Sequence, residues 1–142
     1  MPTSSEPLLL DTSAAVALIN PAHPHHAAVT AAVAGRRLGL AGHAAFETLS
    51  VVTRLPAPNR LSGPDALRVM EHNFPDSRFL EPGQAEALLA EFAARGVVGG
   101  SVWDGLVAAA ARAHGLKLVT CDRRTQAAYD AIGVDYTMAG AS

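Results

Sequence analysis

The sequence predicts an α/β protein, a three-layer sandwich in which helices cover both faces of a central, mostly parallel sheet of about five strands. Short apolar runs alternate along the chain with segments of helical periodicity, a pattern typical of the crossover units that build parallel sheets. The hydrophobic fraction is 49% and the charged fraction only 17%, as expected where both faces of a sheet are buried. We expect a single domain over residues 1–142.

The predicted strands share an apolar run bounded by turn residues or by a polar residue that begins a helix. The first is the leucine run before Asp11, and the second follows Gly35, which ends a preceding Ala/Val helix. In chain order the predicted strands cover residues 8–10, 36–42, 77–82, 116–122 and 134–138.

The predicted helices share apolar residues at the spacing of one helical face. Leu88, Leu89 and Phe92 show this spacing, and Gly96 supplies the stop for their helix. A proline-rich segment, 56–64, separates two of the helices in the middle of the chain. In order, the predicted helices cover residues 14–19, 27–34, 43–55, 65–74, 83–95, 101–114 and 123–132.

Four acidic residues occupy corresponding places in this pattern. Asp11 and Asp122 each stand at the carboxyl end of an apolar strand, with a helix beyond. Glu47 lies near the start of the helix after the second strand, and Asp104 in the first turn of the helix over 101–114. Because ligands of open α/β sheets bind at the carboxyl edge of the strands, we expect the four acids to lie close together.

Each acid also has a purely structural explanation. Asp11 and Asp122 stand where a helix N-cap is expected, and residues 101–104, S-V-W-D, have the spacing of a capping box. Glu47 is suited to an ion pair with Arg54. Capping explains any one acid more simply than a shared site does. Four converging carboxylates are harder to explain in this way, because they repel one another unless a cation holds them.

The predicted cation is hard and divalent, because the candidate ligands are oxygens and the chain has one cysteine. Mg²⁺ or Mn²⁺ fits such ligands, and these ions commonly bind phosphate substrates and activate water. The chemistry indicated is phosphodiester hydrolysis. The net charge of −2 argues against a generally basic surface, so a nucleic acid would have to be bound through local contacts.

The segments that carry these acids resemble the motifs of PIN-domain ribonucleases, and more closely those of VapC-like toxins of bacterial toxin–antitoxin pairs. The run "LLLDTSAAVAL" resembles the first acidic motif of that family and "AAFETLSVV" the second. The segment "SVWDGLVAAAARAHGLKLVTCD" is similar to the third and fourth together. The likeness covers nearly the whole chain, although residues 55–95 carry little of it.

The resemblance implies an endoribonuclease dependent on Mg²⁺ (or Mn²⁺), with an RNA substrate and a cognate antitoxin protein as partners. Its catalytic acids would be Asp11, Glu47, Asp104 and Asp122. Of these, Asp11, Asp104 and Asp122 would bind the metal, while the hydroxyls of Thr12, Ser13 and Thr120 would orient carboxylates and waters. Family members often carry another Asp or Asn after the fourth acid, where this chain has "DRRTQ". A second ion is therefore expected to bind weakly or to arrive with the substrate.

Three further residues are candidate substrate contacts. Trp103 is placed to stack on a base, and Arg123 and Arg124 to bind a phosphate. Packing at a helix start explains the tryptophan equally well, and solvation at a helix end explains the arginines. The apolar helix over 88–92 offers a surface for self-association as a homodimer, or for an antitoxin helix.

Two other functions remain open at this point. A phosphotransferase of the haloacid-dehalogenase type also begins with an apolar strand and an Asp, but it requires a second Asp where this chain has Ser13. A degenerate PIN-like module would bind RNA or protein without cleaving it. For location we expect the cytoplasm and no membrane span, because the N-terminal segment lacks a basic region and Asp11 interrupts its apolar run.

Overall fold

A parallel β-sheet organises the part of the chain that this computed structural model describes, residues 6–140. Its strands are β1 (Leu8–Leu10), β2 (Leu38–Leu40), β3 (Leu118–Thr120) and β4 (Tyr136–Met138). The strand order is β2-β1-β3-β4 with every pairing parallel. All four carboxyl ends therefore point to the same edge.

Helices cover both faces of the sheet, so the predicted three-layer α/β fold is confirmed. They are α1 (Thr12–Ile19), α2 (His26–Val33), α3 (His43–Val52), α4 (Gly63–Asn73), α5 (Pro82–Arg95), α6 (Ser101–Ala113) and α7 (Gln126–Ile132). Leu9 and Leu118 pack with residues of α5, α6 and α7. Leu8, Leu10 and Val119 pack on the other face with residues of α1, α2 and α4. This alternation is that expected of a strand buried on both sides.

Local signals explain where several helices begin and end. The Ser62 hydroxyl accepts a hydrogen bond from the backbone N–H of Asp65 and so caps α4. Gln84 accepts one from the backbone N–H of Glu81 at the start of α5. Gly96 follows α5 with φ 70° and Gly133 follows α7 with φ 81°, a left-handed conformation that glycine adopts without strain.

The segment 77–82 does not form the fifth strand that its sequence predicts. Arg78 makes one isolated bridge to Ala41, and its backbone N–H donates to the Leu40 carbonyl at 3.0 Å. The chain then enters α5 at Pro82, which has no N–H to continue a ladder. The described sheet therefore has four strands, and this segment shields the outer edge of β2.

Two helical predictions also need adjustment. The segment 123–132 begins with a 3-10 turn at Arg123–Thr125 before α7. The predicted apolar surface over 88–92 is wrong, because Leu88 and Phe92 are buried in the core and, of the three large apolar residues, Leu89 alone is largely exposed, at 74%.

None of the helices within residues 6–140 is long and apolar enough to span a bilayer.

Gly39, in β2, provides a test of how tightly this edge is packed. A Cβ added there would overlap the backbone carbonyl of Asp76 and lie 2.6 Å from the Ser77 nitrogen. Gly39→Ala should therefore lower the free energy of unfolding by about 3 kcal/mol, measured by urea denaturation. Gly83→Ala is the matched control, because a Cβ at this position in α5 meets nothing within 4 Å. Equal stability of the two variants would contradict the packing at Gly39.

Candidate active site

All four predicted acids line one cavity of about 240 Å³ at the carboxyl edge of the sheet. Asp11 directly follows β1, and Asp122 lies two residues beyond the end of β3. Glu47 comes from α3 and Asp104 from α6. The parallel order of β1 and β3 thus brings together acids that lie far apart in the sequence.

Asp11 is 3% exposed and fully hydrogen-bonded. Its Oδ1 accepts from the Ser13 hydroxyl at 2.6 Å and from the Ala14 N–H at 3.0 Å, which caps α1. Its Oδ2 accepts from the Tyr129 hydroxyl at 2.7 Å. Burial raises the pKa of Asp11, although each hydrogen bond opposes the rise. The N-cap explanation is therefore correct for this residue, and the same carboxylate also lines the cavity.

Asp104 carries the clearest sign of crowded negative charge. Partial burial raises its pKa to about 6, with further contributions from the charges of Glu47, Asp11 and Asp122. A helix N-terminus would by itself favour the ionised form, so burial and repulsion outweigh the helix dipole here. The pKa of Asp104 therefore reports the negative charges of the other three acids as well as burial.

The capping box expected at the start of α6 does not form. The N-cap residue is Gly100, and Ser101 lies inside the helix. The Ser101 hydroxyl donates instead to the Val98 carbonyl at 2.6 Å. Capping by Ser101 therefore does not account for the acid at position 104.

Glu47 is held by residues of two helices. Its Oε2 accepts from the Thr12 hydroxyl at 3.0 Å, and its Oε1 lies 3.3 Å from Nε2 of His43. These contacts take the place of the ion pair that the sequence suggested with Arg54. They fix the carboxylate toward the end of β1.

Asp122 is paired with an arginine. Nε and Nη2 of Arg124 each donate to this carboxylate at 3.0 Å, and the pairing lowers the pKa of Asp122. Asp122 also caps the 3-10 turn by accepting from the Arg124 N–H. Arg124 would have to leave this pair in order to bind a substrate phosphate, whereas Arg123 is simply exposed.

A chain of hydroxyls links the ends of β1 and β3. Ser13 Oγ accepts from the Cys121 N–H at 3.1 Å and lies 3.3 Å from Thr120 Oγ1. Thr120 Oγ1 in turn accepts from the Asp122 N–H at 3.2 Å. The hydroxyls of Ser13 and Thr120 therefore connect the backbone around Asp122 to the carboxylate of Asp11.

Three residues of the site were not predicted from the sequence. Tyr129 donates to Asp11 across 118 positions of sequence. Thr125 lines the cavity and donates to the Asp122 carbonyl at 2.8 Å. His43 contacts Glu47 from one helical turn earlier. Thr125 has a local signal, because a threonine three residues after an N-cap aspartate is suited to a turn contact. His43 has one as well, because it stands four residues before Glu47 in a predicted helix. Tyr129 has none.

The chemistry of the cavity fits a hard divalent cation. The candidate ligands are all oxygens, and the pKa of Asp104 is raised by burial and, to a smaller extent, by repulsion from the other acids, which a cation would relieve. As placed, no three Asp, Glu, His or Cys side chains within residues 6–140 are grouped closely enough to hold one ion. Binding of one ion by three of these side chains would therefore require side-chain movement.

A larger cavity of about 550 Å³ lies apart from the acids and has a mainly apolar lining. Phe46, Leu67 and Phe79 lie along it, with exposed fractions of 63%, 53% and 48%. It shares no residue with the acidic cavity. An exposed apolar surface thus lies beside α3 and α4, whereas on α5 Leu88 and Phe92 are buried and Leu89 is exposed.

Comparison with known proteins agrees with this fold. The family model of the PIN domain matches residues 8–131. The chain is 42% identical over 133 residues to ribonuclease VapC27 of Mycobacterium tuberculosis, covering 94% of this chain and 97% of that protein. It is 36% identical to ribonuclease VapC40 of the same species, covering 88% of this chain and 93% of the relative.

Solved structures share the architecture at low sequence identity. The sarcin-ricin-loop-cleaving toxin VapC20 of Mycobacterium tuberculosis has a TM-score of 0.66 at 18% identity, covering 85% of this chain and 94% of that one. The Rickettsia felis VapBC2 structure, bound to a fragment of promoter DNA, gives 0.65 at 14% identity, covering 94% and 99%. FitAcB of Neisseria gonorrhoeae gives 0.60 at 21% identity, covering 91% and 95%. These likenesses concern the fold.

The charge on Asp104 predicts a particular dependence of stability on pH. The folded pKa of about 6 lies above the ordinary value of 3.8, so the folded state binds more protons between these values. The free energy of unfolding of the metal-free protein should therefore fall as pH rises through this window. Asp104→Asn should reduce the fall, leaving the part due to the raised pKa of Asp11, and, because Asp104 is only half-buried, stabilise the metal-free protein by about 1–2 kcal/mol at pH 7.5.

Urea melts at pH 4 and pH 7.5 in EDTA measure this effect, and Asp65→Asn is the matched control. Asp65 also lies in the first turn of a helix, but it is exposed and paired with Arg68. Its replacement should cost about 0.3–1 kcal/mol at pH 7.5. A similar loss in Asp104→Asn would mean that Asp104 merely complements the dipole of α6.

Proposed function

We propose, because this chain belongs to the PIN domain family, that it is a divalent-metal-dependent endoribonuclease and the toxin of a toxin–antitoxin pair. One observation carries the proposal: four carboxylates, two that follow β1 and β3 and two from α3 and α6, line a single cavity. The relatives named ribonuclease VapC27 and VapC40 span nearly the same length as this chain. We propose Mg²⁺ or Mn²⁺ as the ion, because the donor set consists of hard oxygens.

In this mechanism Asp11, Asp104 and Asp122 hold the ion. When bound, the ion supplies positive charge for activating water and for stabilising the phosphate during hydrolysis. Glu47 lies at the same cavity and is oriented by Thr12 and His43. It is placed to accept a proton from the attacking water.

The hydroxyl network determines how these acids face the cavity. Ser13 and Tyr129 bond different oxygens of Asp11, so the buried carboxylate is fixed in one orientation. Thr120 contacts both Ser13 and the backbone of Asp122, which links the two strand ends. Such contacts orient ligands before an ion or a substrate arrives.

We also propose an antitoxin protein as the partner and a homodimer as the functional assembly. The structures of VapBC2 and FitAcB support a partner of this class, because both are toxin–antitoxin complexes with the same fold in the toxin. The apolar surface along Phe46, Leu67 and Phe79 is more exposed than a protein without partners usually leaves such residues.

The family assignment bears differently on the two alternative functions, the phosphotransferase and the non-catalytic PIN-like module. Family membership replaces the haloacid-dehalogenase hypothesis, and position 13 carries a serine that hydrogen-bonds Asp11. A PIN-like module that binds RNA without turnover has the same fold, so only a cleavage assay separates it from an enzyme.

Cleavage of RNA is the direct test. Purified protein, freed of any partner, should cut RNA internally with Mg²⁺ or Mn²⁺ and stop when EDTA is added. Asp11→Asn should reduce the rate by about 100-fold or more, because it weakens the ion's binding site. Asp65→Asn, on the exposed first turn of α4, should leave the rate unchanged. RNA binding without cleavage by the folded protein would support the non-catalytic module.

Expression in bacteria tests the toxin assignment separately. Production without an antitoxin should arrest growth, and Asp11→Asn should relieve the arrest at the same protein level on an immunoblot. Co-expression of a cognate antitoxin should also restore growth. Normal growth of cells that accumulate active, RNA-cleaving protein would leave a nuclease without the toxin role.

A further inference from the structure

A second cleft, of about 410 Å³, adjoins the acidic cavity. Glu47 and Asp104 line both spaces, so the two meet at these carboxylates. The rest of the second lining differs in character, because it includes Trp103, His43 and Arg54. A ligand reacting at the acids would therefore extend naturally into a space lined by rings and an arginine.

Trp103 and His43 form a stacked pair in this cleft. Their ring centroids lie 5.0 Å apart and their planes differ by 19°. Trp103 remains 53% exposed, although it is the largest apolar side chain available for burial. One side of the indole is thus supported by the imidazole while much of the ring stays accessible. A supported, exposed ring is suited to receive another flat ring.

The pair is attached to the acids through the backbone. Trp103 directly precedes Asp104 on α6, and His43 stands one turn before Glu47 on α3. The His43 imidazole also lies 3.3 Å from the Glu47 carboxylate, which Thr12 holds from the end of β1. The platform is therefore fixed relative to the place where a phosphodiester would be cut, and little ordering remains for substrate binding.

We infer that the Trp103–His43 pair is a nucleobase-stacking site for the nucleotide next to the cleaved phosphate, an inference that rests on the proposed ribonuclease function. The base stacks on Trp103, and Arg54 is available to a neighbouring phosphate within the same cleft. The substrate at this position is unpaired RNA. A base inside a duplex is already stacked and paired, so it is not free to reach the indole.

Charge and composition favour RNA here over a protein surface. The chain has a net charge of −2, so a polyanion must be held through local groups such as these. The cleft has carboxylates on the side of the ion site, and an arginine and two stacked rings also line it. The apolar cavity beside Phe79, by contrast, has the lining expected of a protein contact.

Trp103 is the only tryptophan in the chain, so its fluorescence reports on this site alone. The titration uses the Asp122→Asn variant, because Asp122 is a proposed ligand of the ion and does not line the cleft. The variant is titrated with a short unpaired oligoribonucleotide, with its duplex, and with the same strand carrying abasic positions. Each titration is run in EDTA and in Mg²⁺. Quenching should saturate with the unpaired strand in at least the Mg²⁺ condition. The duplex and the abasic strand should quench far less.

Affinity and turnover are measured in parallel. Trp103→Leu should raise the Kd of a labelled unpaired strand, read by anisotropy, and the KM for its cleavage by about 5- to 150-fold, the loss of stacking for one base. Trp103→Tyr should recover much of the loss. Leu89→Ala is the control, because this exposed apolar residue of α5 lies outside the cleft and should change neither value. Circular dichroism verifies that each variant is folded.

The outcomes separate the stacking site from the nuclease. Unchanged Kd and KM in Trp103→Leu, with cleavage intact, would overturn the stacking site and leave the nuclease. Selective quenching by unpaired RNA without any cleavage by the wild type would keep the site and refute the enzyme. A Trp103→Leu variant that loses only self-association or antitoxin binding would show that this face contacts protein, which also overturns the inference.

Discussion

Four carboxylates share a cavity of about 240 Å³, and their mutual repulsion is the constraint around which the surrounding residues are arranged. Parallel strands bring Asp11 and Asp122 to one edge, and α3 and α6 add Glu47 and Asp104 there. Like charges that line one small cavity raise one another's energy unless protons, hydrogen bonds or cations compensate for the repulsion. The structure shows a different compensation at each acid.

Asp11 is compensated by three donors, Glu47 by a hydroxyl and a histidine, and Asp122 by a bidentate arginine. Asp104 has the least compensation, and burial together with the charges of the other three acids raises its pKa to about 6. In the absence of a metal ion, the negative charge of the cavity is therefore reduced when a proton binds Asp104. A divalent cation competes with that proton and with the Arg124 guanidinium, so ion affinity is expected to rise with pH through the same window.

The parts of the site that follow from local sequence were predictable. An apolar strand, an acid and the start of a helix form a continuous pattern at both Asp11 and Asp122, and a parallel sheet requires such ends to share an edge. The contacts of Tyr129 were not predictable, because its hydroxyl reaches Asp11 only after α7 packs on the sheet. The stacking of His43 on Trp103 likewise depends on how α3 and α6 approach each other. Side-chain pairs between distant helices leave no periodic trace in the chain.

One physical reason explains both why residues 77–82 do not form the predicted strand and why Leu88 and Phe92 of α5 are buried. Apolar periodicity indicates that a segment has a buried face, but it does not indicate which neighbouring element covers that face. Leu88 and Phe92 are covered by the chain's own core, including Val97 and α6, where Gly105 leaves room for the Phe92 ring. Two exposed phenylalanines, Phe46 and Phe79, instead lie on α3 and on the segment after α4. One helix, α3, lines the apolar cavity through Phe46 and the acidic cavity through Glu47, so it connects the surface available to protein partners with the proposed catalytic site.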